Sequence, residues 1–236
     1  MCAVIGVLIK NPSIKDFELI KSIIFESKIR GLHATGISFL PHWSNKVETI
    51  KEAISADIFI EKYLGSDKLP QFINADGNLY MVGHCRYSTS DLEFNQPIAN
   101  DNLSVVHNGV ITQELPHLWQ ELYGYSCETK NDTELLLHTI ENNNSPLRDW
   151  VNSSMAVCLL TKQKELKVFR NGKRPLYLTE LPNGFLITST KDIVKRVNSN
   201  FNSKKIEYNT YFTFNYNGNC VINAENIPNT IDYQNI

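Results

Sequence analysis

The sequence predicts an α+β domain built from two β-sheets with helices packed outside them. Three observations carry this expectation. Strand-like apolar runs and amphipathic stretches alternate along all 236 residues. Strands come first, then helices, then strands again, an order that suits layered sheets with helices on their outer faces. No Pro/Gly/Ser-rich linker, internal repeat or low-complexity tract divides the chain, so residues 2–236 read as one domain, long enough to bury a substantial core.

Residues 2–9 are almost wholly apolar and read as a buried strand. Residues 14–29 place Ile14, Phe17, Ile20, Ile24 and Phe25 at helical spacing. Gly31 and Gly36 bracket a turn into the run Ile37, Phe39, Leu40, a further strand, and a polar stretch over 41–78 follows with a short helix near 57–64. Residues 79–87 and 103–107 read as buried strands, and 112–123 and 132–142 as helices. The second half is mostly strands, at 154–161, 166–170, 175–180, 184–188 and 210–222, with a helix at 190–197. The Asn-rich tail after Asn219 reads as coil.

A formal net charge of −2 gives no electrostatic reason to expect nucleic acid or an anionic membrane as partner. The five cysteines, at 2, 85, 127, 158 and 220, are odd in number and widely spaced with no C-x-x-C pair. A disulfide framework or zinc knuckle is therefore not expected, and a reducing cytoplasm fits. The six histidines include no close ligand pair, so neither metal nor cofactor is assigned. No apolar stretch approaches the length of a membrane span, and the N-terminus lacks the basic and apolar regions of a signal peptide.

Cys2 is the residue of greatest chemical interest. Aminopeptidases readily remove Met before so small a side chain, leaving a thiol and a free α-amine on one residue. An α-amine titrates near roughly 7.7–8.0, low enough to act as a base near neutrality. One residue then supplies nucleophile and base together. The alternative is a small hydrophobe at the start of a strand. Within Gly83-His84-Cys85-Arg86-Tyr87-Ser88-Thr89, strand alternation turns His84 and Arg86 one way and Cys85 the other. The Arg86 fork suits a carboxylate, although an arginine closing a strand at the surface is an equal reading. Asn108-Gly109 reads either as a tight hairpin turn or as an amide and a backbone N–H converging on an oxyanion. Asn131 or Asp132 makes a natural helix N-cap, with Glu134 in capping-box spacing, and a carboxylate there can also receive an ammonium. Arg170-Asn171-Gly172-Lys173-Arg174-Pro175-Leu176 reads as a strand–turn–strand with a solvated basic corner.

In this order the segments resemble the glutaminase domain of class II glutamine amidotransferases, which are N-terminal-nucleophile hydrolases. The matching runs are Met1-Cys2-Ala3-Val4-Ile5-Gly6-Val7, Arg30-Gly31-Leu32-His33-Ala34-Thr35-Gly36, Gly83 to Thr89, Asn95-Gln96-Pro97, His107-Asn108-Gly109 and Asn131-Asp132-Thr133-Glu134. The resemblance covers essentially the whole chain. It implies a four-layer αββα sandwich of two antiparallel sheets, with L-glutamine as substrate. Cys2 attacks the side-chain amide, Asn108 and Gly109 hold the oxyanion, Arg86 grips the α-carboxylate and Asp132 the α-ammonium. Tyr87 and Thr89 complete the pocket, and loop 88–96 is the natural lid.

Three positions depart from the pattern: His33 where aspartate is common, Thr190 where an acidic residue often follows serine, and Ser90 where aminosugar synthases carry histidine. The chain ends about where such a domain should finish, so the leading expectation is a free-standing subunit that delivers ammonia to a separate synthase chain. A self-contained hydrolase of a γ-glutamyl amide and a non-catalytic glutamine-sensing or partner-binding module are the alternatives. A homo-oligomer is left open.

Overall fold

Alternation along the first strand sorts the molecule into layers. In the computed structural model, which describes residues 2–88, 92–217 and 219–226, β1 (Ala3–Lys10) sends Ala3, Ile5, Val7 and Ile9 into one hydrophobic cluster and Val4 and Leu8 into another. Successive side chains point to opposite faces of a strand, so a run that is apolar throughout must be covered on both sides. The chain continues through α1 (Ile14–Ser27), β2 (Ala34–Phe39), β3 (Glu48–Glu52), α2 (Ala56–Tyr63), β4 (Asn78–Arg86), β5 (Ile98–Ala99) and β6 (Leu103–Val110). Then come α3 (Trp119–Tyr123), α4 (Thr133–Glu141), α5 (Pro146–Asp149), β7 (Ser154–Thr161), β8 (Glu165–Arg170), β9 (Tyr177–Leu181) and β10 (Gly184–Thr188). Helix α6 (Lys191–Val197), β11 (Ser203–Lys205), β12 (Thr210–Asn217) and β13 (Asn219–Asn226) complete the described chain.

Among the described residues, one sheet has the order β11-β9-β10-β1-β4-β2-β3 and the other β13-β12-β8-β7-β6-β5. Every pairing is antiparallel. Phe17, Ile20, Ile23 and Ile24 of α1, with Phe59 of α2 and Ile193 and Val194 of α6, cover the outer face of the first sheet. Helix α1 is fixed at its start by a reciprocal cap, in which the Ser13 N–H donates to Asp16 Oδ2 at 2.7 Å and the Asp16 N–H to Ser13 Oγ at 3.3 Å. The middle layer packs Val4, Leu8, Tyr80 and Val82 against Val106, Ala156, Cys158 and Phe214 of the second sheet. Leu135 and Leu136 of α4, with Trp150, cover the far face, where Met155, Val157, Leu159 and Phe169 point. The result is the expected αββα sandwich.

Most predicted elements form close to their expected bounds, and the departures have local causes. The helix expected over 112–123 shrinks to a turn at Pro116–Leu118 followed by α3. Leu115 is extended (φ −67°, ψ 142°), as a residue before proline prefers to be. Within the tail expected to be coil, Asn219–Asn226 form β13, which pairs with β12 from Asn217↔Asn219 to Thr210↔Asn226, so the predicted strand 210–222 is two strands of a hairpin; residues 227–236 lie outside the described residues. An Asn-rich segment has low strand propensity of its own, and here the partner strand supplies the pairing. The charged edge strand β3 was hidden for the opposite reason, since Glu-Thr-Ile-Lys-Glu carries little apolar signal.

His84 occupies the interior with neither ring nitrogen hydrogen-bonded. Burial first, then His107 and Arg86, lower its pKa to about 3, so it folds neutral. Burial likewise lowers His107. An unfolded histidine titrates near roughly 6.5, so below that pH the unfolded chain binds the extra proton and stability falls as pH falls. The expected loss from His84 is about 1.4 kcal/mol per pH unit below ~6.5. Urea unfolding between about pH 7 and pH 5 checks this: His84→Gln should flatten the slope, and a wild-type profile already flat over that range contradicts it.

Candidate active site

Antiparallel pairing places the start of β1 beside the end of β4, in the register Ala3↔Cys85. Cys2 therefore lies next to Arg86 and Tyr87. Asn108 and Gly109 end the strand β6 of the facing sheet, and β1 and β4 both pack on β6. The Cys2 N–H crosses between the sheets to donate to Asn108 Oδ1 at 3.3 Å. With Met1 attached this nitrogen is a peptide N–H, and it stands in for the α-amine that removal of Met1 would free. Arg30 Nε donates to the Cys2 carbonyl oxygen at 2.9 Å, and Cys2 Sγ lies 4.0 Å from the Tyr87 carbonyl oxygen. The half-buried thiol is thus at a strand end, not in packed hydrocarbon.

Asn108-Gly109 is not a hairpin turn. Both residues stay in the ladder, paired with Ala156 and Met155. Asn108 is 4% exposed, and while its oxygen takes the Cys2 N–H, its Nδ2 is buried without a partner. A buried amide donor without a partner is costly. Gly109 has φ +151°, and a Cβ there would lie 1.8 Å from the Ser154 carbonyl oxygen, so this backbone geometry admits glycine alone.

The Arg86 guanidinium donates through Nη1 to the Phe94 carbonyl oxygen at 3.0 Å and to Asn95 Oδ1 at 2.7 Å. Asn131 Nδ2 donates to the same Phe94 oxygen at 2.9 Å. One carbonyl thus links the arginine to the residue preceding Asp132. Asp132 Oδ2 accepts the Ile111 N–H at 2.7 Å, while Oδ1 lies 3.8 Å from His107 Nε2. The capping box expected at Glu134 is absent. Asn131 Oδ1 instead accepts the Thr133 N–H at 3.1 Å, and Glu134 turns back to the N–H groups of Glu128 and Thr129. The Tyr87 ring packs at a tilt of 32° against His33, whose Nδ1 accepts the Ser88 N–H at 2.9 Å. Thr89, Ser90 and Asp91 lie outside the described residues, and with them the pocket role expected of Thr89 and the middle of the lid expected at loop 88–96.

Cys2, Asn108, Gly109 and Arg86 thus gather at one end of the two sheets, with Asp132 tied to them through Ile111 and His107. Several supporting residues carried no role in the sequence reading. Arg30 reaches Cys2 only through folding. His107 is positioned by Thr133 Oγ1 at 2.7 Å from Nδ1 and by Gln96 Oε1, which accepts its backbone N–H at 2.6 Å. Lys51 donates to the carbonyl oxygens of Asn95 and Pro97, both at 2.8 Å. The available signals were adjacency to assigned residues, for His107 and Asn131, and membership of the matching runs, for Arg30 and Gln96. The basic corner is not solvated as expected: Arg170 and Asn171 are buried. Arg170 Nε donates to the Ile206 carbonyl oxygen at 2.6 Å, and Asn171 bridges the Met155 N–H and the Ser153 carbonyl oxygen. Among the described residues, the one group able to hold a metal, Cys127, Glu134 and His138, lies on and before α4 beyond Asp132.

Comparison with known proteins agrees with this geometry. A family profile described as a glutamine amidotransferase domain matches residues 42–229, a span that includes Arg86, Asn108, Gly109 and Asp132 but begins after Cys2. The chain is 28% identical over 148 residues to glutamine–fructose-6-phosphate aminotransferase (isomerizing) of Sulfurisphaera tokodaii, covering 60% of this chain and 23% of that protein. It is 30% identical over 149 residues to the enzyme of the same name from Bartonella henselae, covering 59% and 22%. The chain thus spans under a quarter of the length of these curated relatives. Among solved structures, glutamine phosphoribosylpyrophosphate amidotransferase from B. subtilis superposes with a TM-score of 0.68 at 19% identity, over 95% of this chain and 49% of that one. A glutamine aminotransferase class-II domain protein from Silicibacter pomeroyi gives a TM-score of 0.53 at 8% identity, over 94% and 98%. The fold, the terminal-cysteine geometry and the profile match agree: the chain belongs to the class II glutamine amidotransferase domain family, with the N-terminal-nucleophile hydrolase fold.

Proposed function

We propose that this chain hydrolyses the side-chain amide of L-glutamine, with Cys2 as nucleophile once Met1 is removed. The observation that carries the reading is Asn108: its oxygen faces the Cys2 nitrogen, and its amide Nδ2 is buried without a partner beside Gly109. Such a donor is arranged for a charge that develops only during reaction. The α-amine of Cys2 takes the thiol proton as sulfur attacks the amide carbon. A tetrahedral oxyanion forms, held by Asn108 Nδ2 and the Gly109 N–H. Its collapse breaks the C–N bond, and the proton returned by the ammonium lets ammonia leave. A γ-glutamyl thioester remains, which water cleaves to glutamate and free thiol. Arg86 pairs with the α-carboxylate, Asp132 with the α-ammonium, and Tyr87 lines the pocket.

The ammonia then serves an acceptor reaction on a synthase, the chemistry for which the relatives that transfer to fructose 6-phosphate are named. A second reading has its own support. A cavity of about 680 Å³ opens at Val110 and Ile111, directly after Gly109, walled by Tyr123, Tyr125 and Trp150 with Arg174 at its rim. Ammonia needs no such room, whereas the amine of an N-substituted γ-glutamyl amide does. Comparing kcat/KM for glutamine and for γ-glutamyl amides of increasing amine size separates the two. Preference for glutamine, with turnover raised by a synthase partner, supports the first reading. No glutamate release from either substrate by Met-processed protein, verified by intact mass, removes both.

Two substitutions test the roles. Asn108→Ala should lower kcat by roughly 10²–10³-fold while changing KM for glutamine little; unchanged kcat removes Asn108 from oxyanion binding. Asp132→Asn keeps an acceptor for the Ile111 N–H but loses the charge. It should raise KM by roughly 10–100-fold, the worth of one charged hydrogen bond, with saturated kcat held within a few-fold. An unaltered KM places the substrate ammonium elsewhere.

A further inference from the structure

Helix α4 carries Glu134 and His138 four residues apart on one face, and Cys127 sits in the segment leading into that helix. Their ligating atoms, the Cys127 sulfur, a Glu134 oxygen and a His138 ring nitrogen, all lie within 4.8 Å of one another. Glu134 is 6% exposed. Its Oε2 is saturated by the Thr129 N–H at 2.7 Å and the Thr129 hydroxyl at 2.6 Å. Its Oε1 takes the Glu128 N–H at 2.8 Å, keeps a second lone pair and stands 3.6 Å from His138 Nε2. That nitrogen is buried and makes no hydrogen bond. On the other side of the ring, His138 Nδ1 faces the Glu141 carboxylate at 3.6 Å. Metal-bound histidines are commonly oriented in this way by a carboxylate behind them.

We propose that Cys127, Glu134 and His138 bind one transition-metal ion of borderline softness, Zn²⁺ foremost, with the fourth position taken by water. A thiolate, an imidazole and a carboxylate together suit this class of ion and not Mg²⁺ or Ca²⁺. Tetrahedral ligation would bring the three atoms to roughly 3.3–3.6 Å apart, an adjustment of about an ångström from the present spread. The ion would clip the segment before α4 onto the helix that starts beside Asp132. The site does not depend on the glutaminase reading, because none of its ligands takes part in that chemistry.

Co²⁺ titration of the full chain tests it, in a Cys2→Ala background that removes the competing thiol, after stripping with a chelator. The expected result is one equivalent bound, with a sulfur-to-cobalt charge-transfer band in the near ultraviolet and displacement by Zn²⁺. Cys127→Ser should abolish that band. His138→Gln should weaken binding at least tenfold, and Glu141→Gln by roughly 10–100-fold, as loss of an orienting carboxylate does. Absence of saturable binding, or a one-to-one complex without the sulfur band, overturns the proposal and leaves His138 as an ion-pair partner of two carboxylates. Circular dichroism shows whether each variant folds, and the parental band decides the matter if they do not.

Discussion

The backbone of Cys2 is the fixed point from which the site is built. Its nitrogen is held by Asn108 on the facing sheet and its carbonyl oxygen by Arg30. Two residues on, the Val4 N–H donates to the buried Ser189 Oγ at 2.8 Å, and the Ser189 N–H returns to the Val4 carbonyl oxygen at 3.2 Å. These bonds lock the register of β1 at its first residues. A slip of one residue would exchange the inner and outer faces of a strand that is apolar on both. Cys2, the proposed nucleophile, is therefore placed by the same strand pairing that forms the core.

Close approach around that point depends on two glycines for different reasons. At Gly109 the backbone itself is in a region only glycine occupies readily, and Ser154 closes over it. At Gly31 the backbone is extended, but a Cβ would come within 2.4 Å of the Cys85 carbonyl oxygen. Without that room the neighbouring Arg30 could not come in to reach Cys2. Burial lowers the Arg30 pKa, the neighbouring Cys2 partly offsets this, and the proximity of Arg174 adds a smaller lowering. A second cation at this corner is thus tolerated at some electrostatic cost, as expected where function and stability compete.

The layers were legible in the sequence because apolar strands such as Ala3–Lys10 and Ser154–Thr161 declare burial on both faces. Cys2, Arg86 and Asn108 were legible because each stands where a readable strand starts or stops. What stayed hidden involved bonds between distant segments. Arg170 looks like a surface charge until its guanidinium meets the Ile206, Gly172 and Arg174 carbonyl oxygens. Strand β13 exists because β12 pairs with it, and pairing leaves little trace in an Asn-rich run. Glu134 and His138 stand in plain helical spacing, but a carboxylate, an imidazole and a thiol from before the helix lack the paired-histidine spacing that marks a metal site in a sequence.

His107 shows why such hidden contacts matter to the chemistry. Asp132 is the proposed acceptor of the substrate ammonium, and the imidazole 3.8 Å from its Oδ1 would compete for that carboxylate if it were charged. Burial outweighs the pull of Asp132 and holds the His107 pKa down, so the ring is neutral near pH 7. Its Nδ1 is tied to Thr133, the first residue of the helix that follows Asp132. A neutral ring leaves the Asp132 carboxylate without that competitor, while the Arg86 guanidinium is directed toward Phe94 and Asn95. On the proposed reading these two residues are the negative and positive anchors for a free amino acid, and the neutral histidine behind Asp132 is what leaves its carboxylate to the ligand's ammonium.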